Sequence, residues 1–167
     1  GYGAWCIHRF DRAGNWVSKF GEPGNGNGTF NTHHGLWIDR RSEGEEKIVV
    51  CDRGHHTLQI FTLNGKYINT LKGYGLPANI DTYKNIMLIP ELHARLTLLD
   101  ESNKVIARLA DDVEGVVKQK NVNRGKPETW VSGKFVHPHD ACFDENGNII
   151  VAEWVSTGRV SRLRKVS

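Results

Sequence analysis

The sequence predicts an all-β chain folded as a β-propeller of four-stranded antiparallel blades. Three observations carry this. Short apolar-alternating runs recur, bounded by turn residues such as Asn64-Gly65 and Lys84-Asn85, which is the pattern of hairpins with one buried face. The runs group into units of roughly 40–45 residues, the spacing of propeller blades. A His-Pro-His-Asp stretch, His137 to Asp140, opens one unit as His33-His34-Gly35 opens an earlier one.

The elements follow in order. Residues 1–21 hold AWCIHRFD and NWVSKFG, joined by Ala13-Gly14-Asn15, and read as the outer strands of a blade. Residues 34–73 form a blade: GLWID, the turn-rich RRSEGEE, KIVVCDR, TLQIFTL, a turn at Asn64-Gly65, then KYINTLKG. Residues 77–110 form the next: ANIDTY, Lys84-Asn85, IMLIPEL, RLTLLDE, a turn at Ser102-Asn103, then KVIARLA. Residues 111–134 are polar and too long for an ordinary loop, so they read as an insertion over one face or as partly disordered. Residues 135–167, with DACFDENGNIIVAEW and GRVSRLRKV, form a partial blade. GLWID, ANIDTY and DACFD are the inner strands near the axis, expected to be more buried than the NWVSKF and YINTLK outer strands. No segment shows sustained helical periodicity.

The strands amount to two full blades and parts of two others, whereas closure takes about 4–8 blades. The expectation is an incomplete arc, either a piece of a larger ring or a half completed by another chain, the piece being favoured. Open blade edges would invite self-association.

Composition agrees with a packed β protein: 167 residues, 38% hydrophobic, 18 Gly and five Trp. The net charge is +3, with Lys and Arg spread along the strands apart from Arg159 to Lys165. A nucleic-acid footprint needs a basic face with stacking aromatics, so nucleic acid is not the expected partner. No run reaches the length of a membrane span. The three cysteines, Cys6, Cys51 and Cys142, are odd in number and form no CxxC. Cys51 and Cys142 lie in apolar strands and read as small buried hydrophobes.

The two histidine motifs matter because blades differ by rotation about one axis. Histidines at the same slot, His34 and His139, should point into one axial channel with their nitrogens a few ångströms apart. Two alternatives stand beside this. Each histidine can be a hydrogen-bonded residue at a strand start, and Asp52-Arg53 can be an inter-blade ion pair. His8, His55, His56 and His93 read as surface or turn residues.

The strand patterns resemble NHL repeats of six-bladed propellers. More narrowly, the chain resembles the peptidyl-α-hydroxyglycine α-amidating lyase family and its bacterial relatives. Gly1-Tyr2 with IHRFDRAGNWVSKFGEPG, then GTFNTHHGLWID, VVCDRGHHTLQIF and FVHPHDACFDENGNIIVAEW carry this, in the family's order. The resemblance implies a zinc held by His34, His139 and a third histidine from an earlier blade. It implies that Asp140 is linked to a structural calcium, that Tyr2 is the catalytic base, and that Arg53 is an active-site arginine. The substrate would be a peptidyl-α-hydroxyglycine or a related small α-hydroxy amide, split into an amide and glyoxylate. The compartment implied is extracellular or periplasmic.

The chemistry is coherent. Neutral imidazoles suit zinc, and three protein ligands leave a position open for substrate. An arginine fork suits a carboxylate. The chain departs from the family at His33, where Pro is common, at His137, which replaces a methionine, and at Gly3, which replaces a disulfide cysteine. The middle blade has Ala78 at the ligand slot. The other functional class is a non-catalytic propeller that binds a protein or a small ligand on its channel face.

Overall fold

The computed structural model describes residues 3–42, 44, 46–119 and 122–166. Its strands form four antiparallel sheets laid side by side in chain order. The first pairs β1 (Ile7–Phe10) with β2 (Trp16–Phe20). The second has β3 (His33–Asp39), β4 (Lys47–Asp52), β5 (Thr57–Thr62) and β6 (Tyr67–Lys72), hydrogen-bonded in that order. The third repeats it with β7 (Asp81–Tyr83), β8 (Ile86–Glu91), β9 (Arg95–Leu99) and β10 (Val105–Leu109). The fourth has β11 (Pro138–Phe143), β12 (Ile149–Glu153) and β13 (Arg159–Leu163). These are the blades expected from the sequence, arranged as an open arc.

Strand periodicity places the core between blades. Alternate residues of one strand face opposite sheets. In β4, Ile48 and Val50 join Ile7, Phe30 and Phe61 against the first sheet, while Val49 and Cys51 join Ile80, Met87 and Ile89 against the third. Leu88 of β8 turns the other way, to Ala141, Ile149 and Val151. The strands of a blade's middle are therefore buried on both faces and read as nearly continuous apolar runs. β3 and β7 are only half-buried, more than the outer strands but less than the middle ones. The inner strand borders the channel, so neighbours cover it less completely.

The hairpin turns repeat one device. Asp11, Asp100 and Asp144 each accept two backbone N–H groups through Oδ1, at 2.8 to 2.9 Å. Each turn then needs a left-handed residue three positions on, supplied by Gly14, Asn103 and Gly147. Gly and Asn adopt that conformation at the least cost.

One expectation needs correcting, that for Cys142, and the insertion takes a defined form. The 111–134 insertion contains a short helix, α1 (Val113–Lys118), and two 3-10 turns, Val122–Gly125 and Pro127–Thr129. Only Val116 of α1 is buried, so one apolar side chain anchors it and no helical periodicity marks it. Cys142 is exposed, unlike Cys51. It alternates with Ala141, which takes the core-facing side of β11, so Cys142 falls on the open side of the last sheet.

Candidate functional site

The second, third and fourth sheets each end their second strand on a buried carboxylate: Asp52, Glu91 and Glu153, at 0%, 0% and 7% exposure. An unpaired buried carboxylate is costly, and each of these is saturated in the same way. Asp52 accepts from the backbone N–H of Asn31 at 2.9 Å, Glu91 from that of Gly75, and Glu153 from that of Val136 at 2.7 Å. Each donor lies three residues before the start slot of the inner strand, at His34, Ala78 and His139. A cationic or polar side chain closes the other side. His55 bonds Asp52 at 2.6 Å, Arg95 bonds Glu91 at 2.9 Å, and Arg159 bonds Glu153 at 2.8 Å.

This latch corrects one sequence reading. Asp52 pairs with His55, not with Arg53. His55 lies in a turn, as expected, and its Nε2 also lies 3.0 Å from Asn25 Oδ1. The sequence neighbour of Asp52 is turned away by the 3-10 turn Arg53–His55, which swings the residue three positions on back over the carboxylate.

Both site histidines sit at irregularities in strand pairing. The register of β3 against β4 shifts between His33 and Leu36, and that of β11 against β12 shifts between Pro138 and Asp140. Such bulges re-aim a side chain away from the strict alternation. The result brings His34 and His139 together, with ring centroids 4.9 Å apart in an edge-to-face arrangement. His34 Nδ1 lies 2.7 Å from the carbonyl oxygen of Ala78. A carbonyl only accepts, so Nδ1 carries the proton and Nε2 the lone pair. Gly35 N–H donates to the same Ala78 oxygen at 2.9 Å. A Cβ on Gly35 would meet Asn79 Cα at 2.6 Å and Ala78 O at 2.7 Å, so this close approach of two blades requires glycine.

Burial lowers the pKa of both imidazoles. At His34 the bond to Ala78 opposes this, Arg53 adds to it and Asp140 opposes it. At His139, burial is followed by His34 and Arg53, with Asp140 opposing. Both rings are thus biased to the neutral form that ligates metal. Arg53 lies close enough to be felt by both. Asp140 is exposed and accepts from Asn79 Nδ2 at 2.7 Å. Tyr2 lies outside the described residues.

Other rings gather on these blades, one of them beside His139. His137, 3% exposed, donates from Nδ1 to the carbonyl of Leu92 at 2.6 Å, and its Nε2 has no hydrogen-bond partner among the described residues. His56 and His93 approach with centroids 5.7 Å apart. Trp154 lies beside His137 and His139, with centroids at 6.5 and 6.4 Å. The guanidinium of Arg124 stacks on the indole, 3.2 Å from its centre. His137 was visible in the motif. Nothing in the sequence signalled Trp154 or Arg124, because one lies beyond β12 and the other inside the insertion. Among the described residues, no group of three or more His, Cys, Asp or Glu side chains is placed to hold a metal ion.

No family model and no curated protein sequence matches the chain. Solved structures do. Virginiamycin B lyase from Staphylococcus aureus superposes with a TM-score of 0.59 at 11% identity, over 98% of this chain and 50% of that one. A streptogramin B lyase structure gives 0.60 at 12% identity, over 99% and 49%. BBS1N in complex with ARL6DN gives 0.57 at 12% identity, over 98% and 45%. At such identities the likeness concerns the fold, and it supports the propeller architecture. The chain spans about half the length of these structures. Among the described residues, no helix is long and apolar enough to cross a membrane.

Proposed function

We propose that this chain carries part of the active site of a zinc-dependent lyase, cleaving the C–N bond of a peptidyl-α-hydroxyglycine or a related α-hydroxy amide. The observation that supports this best is the convergence of His34 and His139, 4.9 Å apart, from equivalent slots of two blades. The donor set suits the metal. Two neutral imidazoles match zinc's preference, and the His34 Nδ1 bond to Ala78 O is the outer contact that orients a ligating histidine. A third ligand would come from outside the described residues. Bound there, zinc would act as a Lewis acid toward the substrate's hydroxyl oxygen.

The chain's own groups would do the rest. Arg53 would hold the substrate carboxylate with its planar fork. Tyr2 would take the proton from the hydroxyl as the carbonyl of glyoxylate forms. The C–N bond then breaks and the amide nitrogen takes up a proton. Calcium does not fit equally well. It takes 6–8 oxygen ligands, whereas the described partner of Asp140 is the amide N–H donor of Asn79.

The second reading is a non-catalytic propeller with a protein partner. It draws on the lack of a third ligand among the described residues and on a propeller neighbour solved in complex with a protein. Metal analysis joined to a glyoxylate assay separates the two. The lyase reading expects about one zinc per chain, lost in His34→Ala and His139→Ala but kept in His56→Ala, with glyoxylate and amide released in equal amounts. Metal-free, well-folded protein that releases no glyoxylate overturns it.

A further inference from the structure

We propose that Arg124 selects, for the His34–His139 site, peptides that carry an acidic side chain next to the end bound at the histidines. This rests on the reading that the site takes a peptide, and it assigns the class of peptide. Arg124 comes from the insertion, in the 3-10 turn Val122–Gly125. Two backbone bonds fix the region: Trp154 N–H donates to His137 O at 2.8 Å, and Ser156 N–H donates to Arg124 O at 3.1 Å. The second pins the insertion to the segment after β12 that carries Trp154. The indole is 51% exposed, so it borders solvent as well as the two histidines.

Arg124 differs from three buried or half-buried arginines of the blades. Arg41, Arg95 and Arg159 each hold a carboxylate of the chain. Among the described residues, the guanidinium of Arg124 stacks on Trp154 and meets no carboxylate. Face-on stacking leaves the N–H groups of the fork in the plane of the guanidinium, pointing sideways and able to grip a carboxylate in bidentate fashion. The stack also orders the side chain in advance, which lowers the entropic cost of binding. His137 senses the same charge: burial lowers its pKa, and Arg124 lowers it further. Arg124 thus brings a cation from the insertion to the edge of the histidine pair, by way of the indole beside His139. A peptide end with an acidic neighbouring side chain meets that cation, and its aliphatic stem can lie on the indole.

The test uses two unreactive peptides that differ by one charge, N-acetyl-Glu-Gly and N-acetyl-Gln-Gly, titrated calorimetrically into the chain. The Glu peptide should bind about tenfold or more tightly, with a preference that shrinks as salt is raised. Arg124→Gln should level the two peptides, and Arg124→Lys should restore part of the difference. Equal affinities for the unaltered chain, binding of neither peptide, or a preference that survives Arg124→Gln each overturn the proposal. The unaltered chain decides the first two outcomes even if a variant misfolds. Zinc content and glyoxylate release, read separately, judge the lyase reading. A charge preference without zinc sinks that reading alone, whereas zinc and turnover without a charge preference sink this one alone.

Discussion

Glu153 offers the sharpest test of the carboxylate latch. Its side chain is fully buried, and it accepts N–H groups from Val136 at 2.7 Å and His137 at 3.3 Å and from Arg159 Nη2 at 2.8 Å. Glu153→Gln preserves size but removes the charge and replaces one acceptor by an NH₂ donor. Hydrogen bonds to a charged group contribute about 1.5–3 kcal/mol. Breaking a buried pair from one side costs about 3–5 kcal/mol. The Arg159 side chain is 23% exposed, so water recovers part of its solvation, and a loss of about 2–3 kcal/mol is expected. In a chain of this size that is a drop of roughly 5–10 °C in Tm. Glu46→Gln is the control. It breaks a pair with Arg40 whose side chains are 64% and 41% exposed, which should matter by less than about 0.5 kcal/mol. Urea denaturation of both variants decides. A Glu153→Gln loss no larger than that of Glu46→Gln refutes the idea that the latch holds the loop ahead of His139.

Three further outcomes follow from the same geometry. Gly35→Ala places a Cβ 2.6 Å from Asn79 Cα; it should cost about 1–3 kcal/mol and, by parting the second and third blades, weaken zinc binding, read by urea denaturation and competition with a chelator. In native protein a maleimide should modify Cys142, though slowly because burial and the nearby Asp81, Asp140 and Asp144 raise its pKa, and should spare Cys51, whose burial raises its pKa strongly; peptide mapping that finds Cys51 labelled first contradicts the core assignment. Burial lowers the folded pKa of His34, His93, His137 and His139 below the ordinary 6.5. The unfolded chain therefore takes up protons first as pH falls. Stability should be full above that value and decline as pH drops below it, visible as a falling urea midpoint between about pH 7 and 5; a midpoint that rises on acidification would contradict the neutral histidine cluster.

The blades were legible in the sequence because they rest on local rules. The apolar runs KIVVCD and TLQIFT, the turns at Ala13-Gly14-Asn15 and Ser102-Asn103, and the repeat spacing all depend on near neighbours, and each maps directly onto a strand or hairpin. The shared slot of His34 and His139 was legible for the same reason, since a repeat is visible as a repeat. Tertiary structure alone decided the remainder. Bulges at both histidines set where their rings point, and bulges arise from strand pairing rather than from composition. Asp52 faces His55 instead of its neighbour Arg53 because a 3-10 turn carries the chain back over the buried carboxylate. Arg124 meets Trp154 across the rest of the insertion and β11–β12. Contacts between residues so far apart carry no local signature, because what joins them is the packing of the finished blades.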